Sequence, residues 1–228
     1  MSQNPIPRSK GAMLFMAAPI VFGGLLFLAV GVLVLLVWLG DTADGERVRM
    51  TFQGTCAEES VSIIRERISA IGLGDVSISS RTDEIDVVAT LPNIENARSD
   101  ISLLLTQRGI LSVRDKDGIV LEHMDISSAT LDQDESGMPY TKIVFDEKQR
   151  KALSENVRQD PEGFLFFYLD STQIVKRPNH NLIRSDELRL RSLEGGKRDQ
   201  LRVTVDWSIV LAHGPLPCSL KVSSVKSM

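Results

Sequence analysis

Residues 47–113 read RVRMTFQGTCAEESVSIIRERISAIGLGDVSISSRTDEIDVVATLPNIENARSDISLLLTQRGILSV. Two periodicities take turns along this stretch. From Arg47 to Gln53 the residues alternate strictly, with Val48, Met50 and Phe52 on one side, the mark of a half-buried strand. Thr55-Cys-Ala-Glu58 has the spacing of a capping box. After it Val61, Ile64, Ile68 and Ile71 fall at helical spacing, with Glu58, Glu59, Arg65 and Glu66 on polar positions, until Gly72 and Gly74 stop the helix. Alternation returns through Val76 and Ile78, turns at Thr82-Asp83-Glu84, and resumes through Ile85, Val87, Ala89 and Leu91. Pro92-Asn93 opens a second helix striped by Ile94, Ala97, Ile101 and Leu104; Gly109 ends it, and Ile110 to Val113 reads as a fourth strand. The order strand, helix, strand, strand, helix, strand predicts an α+β domain of ferredoxin-like (βαββαβ) pattern, two amphipathic helices covering one face of a four-stranded antiparallel sheet.

Upstream, residues 11–40 run GAMLFMAAPIVFGGLLFLAVGVLVLLVWLG without one charged side chain. At a helical rise of 1.5 Å per residue this run is roughly 45 Å long, more than the ~30 Å hydrocarbon core, so it predicts a single transmembrane helix. It is too long for the apolar region of a cleaved signal peptide, and Asp41 stands where a small residue would be needed. Arg8 and Lys10 precede the run; Asp41, Asp44 and Glu46 follow it. The positive-inside rule therefore leaves residues 1–10 in the cytoplasm and sends the rest outside, through a short linker at 41–46. The span holds no ionisable group, so acting alone it is a tether in the lipid bilayer rather than a proton or ion path.

Downstream, Asp115-Lys-Asp-Gly118 signals a hairpin into Ile119–Leu121. Residues 127–140 are polar and turn-rich, and Thr141–Phe145 is a short strand. Asp146 caps a helix reaching about Gln159. Phe164–Leu169 and Gln173–Val175 form a hairpin around Asp170-Ser171-Thr172. Thr204–His213 fits strand or helix, Gly214-Pro-Leu-Pro217 is a break, and Ser219–Val225 reads as a last strand.

Composition sets limits on function. The 228 residues are 43% hydrophobic and 25% charged, with a net charge of −4, which argues against a nucleic-acid partner. Mean hydropathy is zero despite the charge content, because the apolar residues are concentrated in the span. His123, His180 and His213 have no His or Cys partner at metal-ligand spacing, and Asp132, Asp134 and Glu135 do not make a twelve-residue calcium loop. No phosphate loop, nucleophile elbow or zinc-protease helix occurs. The expectation is a protein without cofactor, metal or catalytic residues, and not an enzyme. Arg184, Arg189, Arg191, Lys197, Arg198 and Arg202 are interleaved with acids, as on a solvated face. Cys56 and Cys218 are the two cysteines. An oxidising compartment permits their bond, but nothing in the predicted fold puts the start of the first helix beside the final strand.

One pattern stands out as a candidate site. Phe164-Leu-Phe-Phe-Tyr-Leu169 is apolar on both faces: Phe164, Phe166 and Tyr168 on one side, Leu165, Phe167 and Leu169 on the other. Such a strand is either covered on both sides or offers one face to a partner. The partner reading makes Phe164, Phe166 and Tyr168 a groove for unfolded polypeptide.

Several segments in order resemble the first periplasmic domain of the SecD family. The helix end Arg65-Glu-Arg-Ile-Ser-Ala-Ile-Gly72 and Val87-Val-Ala-Thr-Leu-Pro92 are similar to its helix–Gly and V-x-LP signatures. Leu105–Arg114 resembles its L…G.L.FR segment, with Val113 in place of Phe. Pro139–Phe145 and Gly163–Ser171 resemble its next strand and hairpin, with Ser171 in place of Gly, and Leu211–Leu220 resembles its L-x-x-G-x-LP-x-x-L exit motif. The resemblance implies a base at residues 47–115, an inserted α/β head subdomain at 116–180, and a return segment of the base at 181–228. It also implies a bacterial inner (plasma) membrane location with the C-terminal domain periplasmic, and a non-catalytic role in protein export beside Sec translocase components and exported polypeptide. Full SecD proteins carry their proton-coupling groups in membrane helices after the exit motif. With the sequence stopping at Met228, the expectation is a receiving domain without the motor. The competing expectations are a ligand-sensing domain and a structural envelope adapter.

Overall fold

The computed structural model describes residues 45–94, 96–179, 187–192 and 196–228. The predicted span at 11–40, its cytoplasmic flank and most of the linker lie outside them. Among the described residues no helix is long and apolar enough to cross a membrane.

Strand β1 (Glu46–Gln53) buries Val48, Met50 and Phe52 completely and exposes Arg47 and Arg49, as its alternation requires. β3 (Glu84–Leu91) pairs antiparallel along its whole length on one side, and β2 (Gly74–Arg81) pairs with β3. Helices α1 (Ala57–Ile71) and α2 (Ala97–Thr106) cover the inner face, where Ile64, Ile68, Ile101 and Leu105 meet the sheet. Gly72 ends α1 in the left-handed conformation, φ 76°, its N–H donating to the carbonyls of Ile68 and Ser69. The expected capping box at Thr55–Glu58 is not made. Cys56 is the cap residue, without a side-chain cap bond, and its sulfur is bonded instead to Cys218.

The fourth strand of this sheet is a correction. Its order is β11-β1-β3-β2, and the neighbour of β1 is β11 (Lys221–Ser227), not Ile110–Val113. The expected strand exists as β4 (Leu111–Arg114), but in another sheet. The physical reason lies in the two sequences. Leu111, Ser112 and Val113 are all buried, so β4 is suited to a central position. β11 reads KVSSVKS, largely exposed and with a lysine near each end, which suits an open edge.

β4 instead joins β5 (Ile119–Leu121), β8 (Phe164–Leu169) and β9 (Thr172–Pro178) in the order β5-β4-β8-β9. A third sheet runs β10 (Glu187–Leu190), β7 (Pro139–Phe145), β6 (Ile126–Gln133). β6 occupies the stretch expected to be turns. Only Ala129 of it is buried, so the strand rests on its backbone pairing with β7 rather than on an apolar face. Helix α3 (Glu147–Gln159) starts where expected, with the Asp146 carboxylate accepting from the N–H groups of Lys148 and Gln149 at 2.8 and 3.4 Å. Helix α4 (Lys197–Ala212) settles the ambiguous segment: Thr204, Ser208 and Leu211 are buried at i, i+4, i+7, and Thr141 Oγ1 donates to the Thr204 carbonyl at 2.8 Å. The two sheets share one core. Leu111, Val113, Leu165 and Phe167 face Ile143, Phe145, Leu188 and Leu190, with the Phe145 and Phe167 rings stacked at 6.5 Å.

Candidate functional site

In β8 the two faces part as the alternation demands. Leu165, Phe167 and Leu169 are buried in the shared core; Phe164 is 42% exposed, and Phe166 and Tyr168 are half-buried on the opposite face. Cations lie over this aromatic stripe. Lys176 of β9 holds its Nζ 4.1 Å from the Phe164 ring centre and 5.3 Å from that of Phe166. From β4, the Arg114 guanidinium sits 4.5 Å from the ring centre of Tyr168. Register explains the arrangement: Phe166 is paired with Arg114 on one side and Lys176 on the other, so all three side chains project from the same face. Tyr168 donates to Gln173 Oε1 at 3.3 Å.

The stripe opens at one end into a cavity of about 220 Å³ lined by Arg108, Ile110, Ser112, Arg114, Glu122, His123 and Asp170. Ser112 and Arg114 belong to both, because Ser112 is paired with Tyr168. Asp170 tops the β8–β9 turn at φ 56°, where its Oδ1 accepts the Ile110 N–H at 2.9 Å and its own N–H donates to the Ile110 carbonyl at 2.7 Å.

A buried arginine that the sequence patterns did not single out anchors the main chain of Arg108, one of the residues lining the cavity. Arg67 of α1 is 0% exposed. Its Nη1 donates to the carbonyls of Leu104 at 3.1 Å and Gln107 at 2.5 Å, and its Nη2 to those of Arg108 at 3.4 Å and Gly214 at 3.0 Å. It thus ties the end of α2 to the break after α4. Burial lowers its pKa to about 10, partly offset by the charge of Asp170, so it remains a cation at neutral pH. The signal was positional: Arg67 stands three residues after Ile64 and beside Ile68, on the apolar stripe of α1. Gly109 completes the joint at φ 84°. A Cβ there would come within 2.7 Å of Val210 Cγ1 and 3.1 Å of Arg67 Nη2.

Cys56 and Cys218 form a disulfide across 162 residues of sequence, with Cα atoms 5.8 Å apart. The swap of β11 for β4 makes it geometrically possible, since β11 brings the segment before it alongside the start of α1. Asp134 accepts from the hydroxyl and N–H of Ser136 and the N–H of Met138 and pairs with Arg191, which hold its carboxyl well below the usual range. Asp132 receives the Tyr140 hydroxyl at 3.1 Å. Arg189 lies over the Tyr140 ring, and Arg202 pairs with Asp100. His213 Nδ1 is 3.3 Å from Glu66 Oε2. His180 and Arg184 lie outside the described residues.

No family model matches the chain. No curated protein matches it either. Solved structures do. A crystal structure of SecDF in a super-membrane-facing form superposes over 90% of this chain with a TM-score of 0.63 at 17% identity, and the chain spans 35% of that structure's length. A second, described as a structure of the membrane component SecDF that enhances protein export, is matched over its full length by 79% of this chain, with a TM-score of 0.56 and 18% identity. The fold is SecD-like, as the sequence segments implied. At these identities the likeness is one of fold.

Proposed function

We propose that this chain is a membrane-tethered, extracytoplasmic accessory of protein export that binds unfolded exported polypeptide along β8. The observation that carries the reading is the stripe Phe164, Phe166 and Tyr168, an aromatic strand face opposite the core, in a fold like that of SecDF. An extended chain matches it physically. Its side chains alternate at the same spacing as the rings, and apolar contact with them is tolerant of sequence. The tether is the apolar run at 11–40, and the charge on its flanks favours the N-terminus inside. The Cys56–Cys218 bond supports the placement outside the cytosol, because reducing compartments rarely keep such bonds. On this reading the residues carry no chemistry of their own, and force or energy comes from Sec translocase components.

The test is a photo-crosslinking residue placed at Phe166 in the full chain, in cells arrested with a secretory protein in transit. Capture of the arrested chain at Phe166, and not at Arg65 on the polar side of α1, is the expected result. Equal capture at both positions, or none at either, would remove the polypeptide reading. Protease added to spheroplasts should degrade the C-terminal domain; protection would invert the proposed topology.

A further inference from the structure

The cavity at the end of the stripe contains cations that the fold itself does not neutralise. Among the described residues Arg108 and Arg114 form no ion pair. The Nε atoms of both are buried without an acceptor. A ligand in the cavity cannot reach those shielded Nε atoms, but the lining leaves it two guanidinium charges without a counter-ion. Its two carboxylates do not fill the need. Asp170 is engaged by the Ile110 N–H and faces the charge of Arg67, while Glu122 stands exposed on the rim.

We propose that this cavity is a carboxylate subsite, taking an Asp or Glu side chain of a polypeptide whose neighbouring apolar residues lie on Phe164, Phe166 and Tyr168. The proposal rests on the polypeptide-binding reading and adds a sequence preference to it. The Arg114 guanidinium lies over the Tyr168 ring at 4.5 Å, a contact that uses the face of the group and none of its N–H donors. Arg108 approaches on a main chain that cannot drift: its carbonyl accepts the Leu216 N–H at 2.8 Å and the Arg67 guanidinium at 3.4 Å. The Arg114 guanidinium is thus placed by Tyr168, and the Arg108 main chain is fixed, before the ligand arrives, which lowers part of the ordering cost of binding. Ser112 is also in the lining, and Lys176 extends the positive row along the stripe. An extended segment mixing acidic and apolar residues is complementary to this face, and a lysine-bearing one is repelled.

The experiment uses the full chain in detergent micelles and three fluorescent peptides with alternating Leu–Glu, Leu–Gln and Leu–Lys. Anisotropy should rank them in that order, with the Glu peptide about tenfold tighter than the Gln peptide. Arg108→Gln should erase the difference between Glu and Gln while leaving Gln-peptide affinity unchanged. Arg108→Lys should keep part of the difference, and Glu122→Gln should tighten the Glu peptide severalfold. Phe164→Ser should weaken all three. Equal binding of Glu and Gln peptides, still sensitive to Phe164→Ser, would overturn the subsite and leave the polypeptide reading standing. Binding of no peptide would overturn both. Free glutamate competing as well as the Glu peptide would reassign the cavity to a small ligand and overturn the subsite.

Discussion

Arg67 is the residue on which the geometry of the site turns. One guanidinium reaches four carbonyls from the end of α2, the following loop and the break after α4. A methionine of similar length fills the space but leaves those buried acceptors without this donor. Arg67→Met should cost on the order of 3 kcal/mol, read as a fall in the urea midpoint of the full chain. Arg67→Lys should recover only part of it, because one ammonium cannot reproduce the fork. Gly109→Ala should cost about 1–3 kcal/mol at the same joint, from the positive φ and the close approach of Val210. An unchanged midpoint in Arg67→Met would show that the latch is redundant. Polar residue types normally mark the surface, so the identity of Arg67 concealed its burial; only its place on the stripe of α1 showed it.

Among the elements, α4 carries a titration that can be followed. Burial raises the carboxyl of Asp206 to about 6, with Arg202 lowering it and Asp100 adding to the rise. An unfolded Asp ionises near 3.8. The folded state therefore holds the proton more tightly, and the associated stability is complete below that value and is lost as pH rises through about 6. Asp206→Asn should thus stabilise the protein by about 1–2 kcal/mol at pH 7.5, with the gain gone at pH 4, as thermal midpoints at the two values would report. A gain of equal size at both pH values would mean that the carboxyl does not titrate in this way. The same element shows what periodicity conveys and what it omits. α1, α2, β1 and β3 were legible because each buries a regular stripe. α4 was ambiguous because its inward positions include Thr204 and Ser208, which carry no apolar signal. β6 was hidden for a similar reason: its stability lies in backbone pairing, which side-chain patterns do not record.

For the whole molecule, the deciding fact is which distant strand completes the first sheet. Local patterns established that β4 and β11 are strands, but partner choice is made across more than a hundred residues, and there the reading of residues 110–113 as the fourth strand failed. The aromatic stripe was legible from alternation alone; the cations over it were not, since Arg114 and Lys176 reach Phe166 only through the register of three strands. The disulfide follows from the same long-range choice. It closes a loop of 162 residues, and in the chain-entropy picture such a closure contributes about 5 kcal/mol by restricting the unfolded state. For a chain of this size that corresponds to a shift of roughly 10–20 °C in the thermal midpoint. The midpoint of the full chain should fall by that amount in reductant, and equally in Cys56→Ser or Cys218→Ser. Hydrogen exchange should locate the first consequence at the pairing of β11 with β1, around Met50 and Val225, because reduction frees the segment that delivers β11 to the sheet. Amides of β4 and β8, whose core contains no cysteine, should keep their protection until global unfolding. If β4 and β8 instead loosened together with β11, the two cores would open as one unit, and the joint at Arg67 rather than the disulfide would set the weakest step.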